Sequence, residues 1–514
     1  MILNRDEYRD KVLGCWLGKN IGGTLGEPFE WRRQINDVSF YTRDLGGAPA
    51  PNDDLDIQLL WLIAMEEQGV AVDARLLGEY WTTFVTPHWS EYGIAKVNMR
   101  SGLVPPLSGS FRNDYKDSCG AFIRSEIWAC IAPGCPQIAA QYAYEDAIID
   151  HGNGEGTYGE VFTAALESAA FVEGDIYRLI DIALSYIPAD SGVAGAVQCA
   201  IASYQEGKTW VEARDALLEG YRGGAFFGRA DHVSPRDHEK GFATGRRGWD
   251  APSNIGIVVL GLLYGECDFD RTLCTTVNCG EDTDCTGATV GSLFGILHGA
   301  RAIPERWVAP IGRGIQTVTL DLGDLGHFGA RVPATVDNLT ERTERLAEQV
   351  LARYGHPVAL ADAPTDLSGL SDAHLYAGDL AAHIFRNPNG PIFRFPFFDV
   401  AVDYGSEPTV RPGVPRTVRI TLANTYRTQA NVNLRWYAPE GWTVLPASSG
   451  VAQALPAHLG DPVTLEFTLV AERVDAPLSR LAVECTIDGR PTAMLVPIAL
   501  LNGSLLPAGD GAGE

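Results

Sequence analysis

Positive charge is scarce in this chain: 40 Lys and Arg face 65 Asp and Glu, for a formal net charge of −25. Phosphate binding needs a basic face, and so does an anionic lipid surface, so neither a nucleic-acid nor a membrane partner is expected. No uninterrupted apolar run is long enough to span a bilayer. Met1–Glu7 turns polar without an apolar signal core. Ten cysteines are scattered from Cys15 to Cys485 with no zinc-finger spacing, so they read as reduced thiols and no structural zinc is expected. These absences lead to the expectation of a cytoplasmic protein. The rest is ordinary for a globular protein, with 46% apolar residues over 514 positions, enough for two or three domains.

The most informative stretch is Cys279-Gly280-Glu281-Asp282-Thr283-Asp284-Cys285, followed by Gly287, Gly291, Gly295 and Gly299. Glycine costs a helix roughly 1 kcal/mol relative to Ala. Four on one helical stripe therefore indicate that another backbone must come close. The earlier segment from Asp6 to Glu30 repeats the device with Gly14, Gly18, Gly22 and Gly26. The two helices are expected to lie against each other, or each against another core helix. Ahead of the later helix, Asp282 and Asp284 are hard oxygen donors of the kind that suit Mg²⁺, Mn²⁺ or Ca²⁺. The plain alternative is an acidic loop capping a helix. A second acidic cluster, Asn52-Asp53-Asp54-Leu55-Asp56, also precedes an apolar helix (Ile57, Leu60, Trp61, Ile63), so the two clusters can close on one or two metal ions. The turn Gly26-Glu27-Pro28-Phe29-Glu30 makes Glu30 either an exposed acid or a carboxylate aimed at the site.

Further along, Val72–Phe84 has helical spacing and reads as a core helix. Residues 87–120 read as a long loop with Trp89, Tyr92, Asn98, Arg100 and Tyr115 to line a pocket or to pack the loop down. His151-Gly152-Asn153-Gly154-Glu155-Gly156-Thr157-Tyr158-Gly159 is dense in glycine at a helix entry and lets the backbone come near a ligand; its His is either a structural residue or a functional one. Asp175 is expected to cap 176–187, Thr209 and Glu212 to form a capping box, and Asp270 to cap the segment before the central motif. A second loop, 222–253, carries Arg229, Asp231, His232, Asp237, His238, Arg246, Arg247, Trp249 and Asp250, as substrate contacts or as a solvated charged loop. The run 254–265 is apolar nearly all round and predicts a buried helix, and 340–355 predicts a surface helix.

Near residue 395 the period becomes two. Alternation at Val418–Leu422, Val432–Trp436, Val463–Leu469, Leu481–Ile487 and Met494–Leu500 predicts a β-sandwich. The expected organisation is an all-α domain over 1–390, an Ig-like sandwich over 391–505 and a disordered tail over 506–514. The sandwich strands carry no acidic or histidine cluster, so a structural or dimerising role is expected of them, which allows a homo-oligomer. The run 441–446 resembles sandwich modules appended to carbohydrate-active enzymes.

Taken together, the helical motifs resemble the ADP-ribosylglycohydrolase family, also called the dinitrogenase-reductase-activating glycohydrolase family. The resemblance covers about residues 5–320. Gly22-Gly23-Thr24-Leu25-Gly26-Glu27-Pro28-Phe29-Glu30 is similar to the family's glycine-rich helix ending in Glu, Asn52-Asp53-Asp54-Leu55 stands where the family has Thr-Asp-Asp-Thr, and Gly280-Glu281-Asp282-Thr283-Asp284-Cys285 stands where it has Gly-Gly-Asp-Thr-Asp-Thr. The resemblance implies two Mg²⁺ ions, or Mn²⁺, held by Asn52, Asp53, Asp54, Asp282, Asp284 and Cys285. It further implies hydrolysis at the anomeric carbon of a ribose, with Glu30 near the scissile bond and Asp53 or Asp54 as general acid or base. His151 falls where members place a ribose and diphosphate contact, and Gly152, Asn153, Glu155 and Tyr158 are taken with it as substrate-binding. Four positions depart from the pattern: Asn52 and Cys285 for Thr, Leu55 for Thr, and Gly23 for an Asp. Neutral thiol is a poor Mg²⁺ ligand, so one metal position is expected to be weaker, or bound through backbone and water. The expected substrate is a small sugar or nucleoside-like furanoside, with ADP-ribosylated protein and a catalytically idle member of the fold as the alternatives.

Overall fold

The computed structural model describes residues 1–224, 230–245, 251–325 and 331–506. It divides into a helical unit, Met1–Ile94 with Asn113–Ile384, and a strand unit, Ala95–Arg112 with the chain from Phe385 onward. Among the described residues no helix is long and apolar enough to cross a membrane.

The two glycine helices, Arg5–Gly26 and Thr283–His298, form the axis of the helical unit. They run antiparallel at backbone contact. A Cβ on Gly18 would stand 2.0 Å from the Gly291 carbonyl oxygen, one on Gly22 2.0 Å from that of Gly287, and one on Gly14 2.6 Å from that of Gly295. No side chain fits there, which accounts for both glycine series at once. The antiparallel arrangement puts the C-terminus of the first helix beside the N-terminus of the second, where the Thr283 hydroxyl donates to the Gly26 carbonyl at 2.7 Å. Glu30 and the Asp282–Asp284 pair therefore reach one end of the axis.

The second acidic cluster starts the helix Asp53–Gln68, which is buried from Asp54 to Met65. Asp175 caps Ile176–Leu184, and Thr209 with Glu212 forms the capping box of Trp210–Tyr221. The next cap is Asp268, not Asp270: Asp268 accepts from the Arg271 N–H, while Asp270 accepts from Trp307 and Arg306. The apolar run forms the buried helix Ala251–Gly265, and the surface helix is Val336–Tyr354, ended by a left-handed Gly355. The stretch 87–120 is not a structureless loop. It contains the helix Ser90–Arg100 and the turn Leu107–Ser110. Its part 95–112 belongs to the strand unit, to whose core Leu103, Leu107 and Phe111 contribute. In 222–253, Asp237 is buried against Arg214 and the His232 ring meets the Trp31 carbonyl. Arg229, Arg246, Arg247, Trp249 and Asp250 lie outside the described residues, as does the tail from residue 507.

In the strand unit, two five-stranded sheets face each other across one apolar core. The first runs Ile392–Arg394, Phe398–Asp403, Arg416–Asn424, Val463–Ala471, Trp442–Leu445. The second runs Thr409–Val410, Ala493–Asn502, Leu478–Ile487, Ala430–Tyr437, Ser449–Ala454. Pairing is antiparallel except where Thr409–Val410 joins Ala493–Asn502 in parallel. The alternating residues read from the sequence (Val418, Ile420, Leu422; Val432, Leu434, Trp436) are the inward-facing ones.

Candidate active site

At the common end of the glycine axis lies a cavity of about 520 Å³. Its wall includes Glu27, Glu30, Asn52, Asp53, Asp282, Asp284 and Cys285, so residues from both acidic motifs and from the turn after the first helix face one space. The loop that delivers Asp282 is held from behind. Gly280 takes a left-handed φ of 73°, and a Cβ there would meet the Gln34 carbonyl oxygen at 2.1 Å. Glu281 also has positive φ, and its carboxylate is clamped by the buried Arg33 guanidinium at 2.6 and 2.9 Å.

Asp54, Asp284 and Cys285 offer ligand atoms within 4.8 Å of one another; so do Glu30, Asp282 and Asp284, and so do Cys119, Asp282 and Cys285. Both oxygens of Asp54, Oδ1 of Asp282 and Oδ1 of Asp284 are buried and accept no hydrogen bond. Burial, with neighbouring carboxylates adding to it, pushes Glu30 up to about 10. It raises Asp53 to about 6 and Asp54 to about 8, the latter against the pull of Lys19. Asp282 and Asp284 are raised as well, burial again being the main cause. Orphaned, mutually repelling carboxylate oxygens around one space are the donor set that a divalent cation satisfies. The residues fit a metal.

Asn52 serves as the N-cap of its helix: its Oδ1 accepts the Asp54 N–H at 2.7 Å. Its side-chain nitrogen occupies the space a Cβ on residue 23 would need, 2.2 Å away. The departures at positions 23 and 52 thus complement each other sterically. Tyr92 donates to Asp53 Oδ2 at 3.4 Å. Asp56, the third acid of the cluster, turns away and accepts the Val318 and Thr319 N–H groups at 2.7 Å each. Below Asp54, buried Lys19 pairs with Glu126 at 2.7 Å, and Gln58 donates to the other Glu126 oxygen.

The glycine-dense stretch after residue 150 does not reach the cavity wall. His151 is fully buried, its ring held by Asp150 at 2.8 Å and Ser118 at 3.0 Å. Glu155 accepts the N–H groups of Gly192 and Val193, and Asn153 receives Lys116. Gly152, with a positive φ, and Tyr158 are likewise absent from the wall. That stretch supports the site from behind, because Ser118 is a wall residue and links the cavity to His151, Asp150 and Arg124. Sequence reasoning missed Glu91, Ser118, Cys119 and Trp31, which also form the wall. A signal existed for the Lys19 support, a lone cation within a run of glycine and apolar residues.

A family model described as ADP-ribosylglycohydrolase matches residues 4–353, more than half of the chain. The chain belongs to the ADP-ribosylglycohydrolase family. An uncharacterised protein of Archaeoglobus fulgidus is 23% identical over 320 residues, covering 58% of this chain and 90% of that protein. Among solved structures, an ADP-ribosylglycohydrolase-related protein complex is similar at TM-score 0.40 and 19% identity, over 68% of this chain and 99% of the other. A FixG-related protein from Vibrio parahaemolyticus is similar at TM-score 0.18 and 12% identity, over 21% of this chain and 99% of that one. Membership in the ADP-ribosylglycohydrolase family supports a hydrolase acting on glycosyl bonds, and the acidic and cysteine groups of the cavity can hold a metal.

Proposed function

We propose that the chain is a metal-dependent hydrolase that cleaves the anomeric bond of a ribosyl-like furanoside, N- or O-linked, carried by a small sugar or nucleoside-like molecule. The observation that carries this reading is the convergence of Glu30, Asp282 and Asp284 on one cavity, with Asp54 behind them within 4.8 Å of Asp284 and orphaned oxygens on Asp54, Asp282 and Asp284. A cavity of about 520 Å³ is the size that takes a small ligand. In this reading Asp53, Asp54, Asp282 and Asp284 hold two Mg²⁺ ions, with Mn²⁺ the alternative, and Cys285 stands at the same position. Asn52 contributes by capping the helix that aims Asp53 and Asp54. When bound, the ions supply electrostatic stabilisation of the ribose hydroxyls and of an attacking water. Glu30 orients the scissile bond, and Asp53, steadied by Tyr92, handles the proton.

ADP-ribosylated protein is the second reading, favoured by the family match. A catalytically idle member is disfavoured, because a structural protein gains nothing from several carboxylates gathered within 4.8 Å of one another around one cavity. The experiment is a pair of assays: release of free sugar from a panel of furanosides and nucleosides, and release of ADP-ribose from modified protein. The panel is expected to be hydrolysed, and Asp284→Asn to lower the rate by about 100-fold or more. Turnover of the protein substrate with the panel untouched overturns the small-glycoside reading.

A further inference from the structure

Two sulfurs stand in the cavity wall, Cys119 from the turn before Phe122–Arg124 and Cys285 from the first turn of Thr283–His298. Both are buried, and their sulfurs lie within 4.8 Å of each other and of an Asp282 oxygen. Asp282 lies between them and the all-oxygen group. Its Oδ2 accepts the Cys119 thiol at 2.7 Å, while its Oδ1 accepts nothing, although the residue is only 3% exposed. Cys119, Cys285 and Asp282 converge on one side; Glu30, Asp284 and the same Asp282 converge on the other. Cys285 also meets Asp54 and Asp284, so Cys119 is the donor found only on the sulfur side. Sulfur donors select borderline and soft cations, and carboxylates select hard ones. Three protein donors also leave a fourth tetrahedral position open, as zinc sites that do chemistry require.

We propose that Cys119, Cys285 and Asp282 form a thiolate-rich position for a thiophilic divalent cation of the Zn²⁺ type, joined through Asp282 to the all-oxygen position. This rests on the two-position reading above and changes what one position takes. On binding, each thiol releases its proton to solvent and its sulfur donates a lone pair to the ion; nothing is oxidised or reduced.

The test is titration of the metal-free, full-length protein with Co²⁺, followed by the thiolate-to-cobalt charge-transfer absorption in the near ultraviolet. A saturable band that excess Mg²⁺ does not remove is expected. It falls by about half in Cys119→Ser and in Cys285→Ser, since each sulfur contributes its own transition, and it vanishes in the double variant. Circular dichroism checks that the variants fold, and Cys285→Thr gives the same loss if serine disturbs the fold. No band in the wild type, or a band untouched in the double variant, overturns the proposal; sulfurs elsewhere, such as the buried neighbours Cys15 and Cys130, would produce the latter. Asp284→Asn separates the two readings. It is expected to abolish sugar release and keep the cobalt band, so a protein with the band and no hydrolysis retains the cation position while losing the proposed activity.

Discussion

From Phe385 to Leu506 the buried polar side chains are Asn387, Asn424, Ser479 and Asn502, and none is charged, while the segment 95–112 of the same unit adds Lys96, Asn98 and Ser108. The helical unit buries Lys19, Arg33, Asp54, Asp56, Glu91, Arg124, Glu126, Asp146, Asp150, Glu160, Glu167, Arg214, Asp237, Glu281, Asp282, Asp284 and Glu344. Most of these are paired: Lys19 with Glu126, Arg33 with Glu281, Arg124 with Asp146 and Asp150, Arg214 with Asp237. Carboxylate oxygens that accept nothing remain on Asp54, Asp282 and Asp284 at the cavity, and on Asp56, Glu160 and Glu167 away from its wall. A strand core with period two needs only apolar residues on its inner face. A core that must present bare carboxylates needs rigid backbone to aim them and paired charge around them, because a buried ion is tolerated only with partners. The glycine axis supplies the rigidity, and the ion pairs supply the surroundings.

That contrast breaks most visibly at a glycine. Gly22→Ala places a Cβ 2.0 Å from a backbone oxygen that no rotamer change can move, and is expected to destabilise the helical unit by at least about 3 kcal/mol. Gly450→Ala, in a strand where a Cβ would meet nothing within 4 Å, is expected to change stability by about 0.5 kcal/mol or less. Hydrogen exchange read by mass spectrometry reports each unit separately. If Gly22→Ala leaves protection of Arg5–Gly26 intact, the axis is not the rigid element claimed for it.

The next largest effect tests the charge itself. Lys19→Met strands Glu126 in the interior, and breaking a buried pair from one side costs about 3–5 kcal/mol. Ile420→Val in the sandwich core removes one methylene for about 1 kcal/mol. Urea unfolding gives both values. The double change Lys19→Met with Glu126→Gln is expected to recover part of the loss, and a full loss in the double variant would mean that packing, not charge, is the function of Lys19.

Much of this was legible in the chain. The four-residue glycine periods predicted helices in close contact, and the structure pairs them residue by residue because only glycine permits that distance. The two acidic motifs were visible because two such clusters, far apart in the chain, each precede a helix start. Alternation marked the strands. What escaped depended on which core an element joins. Residues 95–112 form ordinary local structure but belong to the strand unit, and nothing in their spacing says so. Cys119, Ser118 and Glu91 reach the cavity from an irregular stretch whose course is set by long-range packing. Glycine near the helix entry at His151 permits ligand approach and tight burial alike; here it serves burial, with a Cβ on Gly156 meeting the His151 ring at 2.0 Å.

The smallest expected effect is also the one that separates the two units most cleanly. In the metal-free protein, burial raises Asp54 to about 8 and Asp56 to about 7. Both lie above the ordinary carboxylate value near 4, which applies when the chain is unfolded. Between about pH 4 and pH 8 the folded state therefore binds more protons than the unfolded one, and stability falls as pH rises through that window. The sign is opposite to that of a salt-bridged carboxylate. The sandwich buries no charged group between Phe385 and Leu506, so its urea midpoint is expected to stay flat over the same range. Midpoints measured at pH 5, 6, 7 and 8 in the presence of a chelator, with hydrogen exchange assigning each transition, check this directly. Adding a divalent cation is expected to stabilise the helical unit, and most at the alkaline end, where the carboxylates it neutralises are ionised. A helical unit that grows more stable toward pH 8 without metal would mean that Asp54 and Asp56 are ionised and satisfied by the protein alone, and the argument that the cavity demands a cation would fail with it.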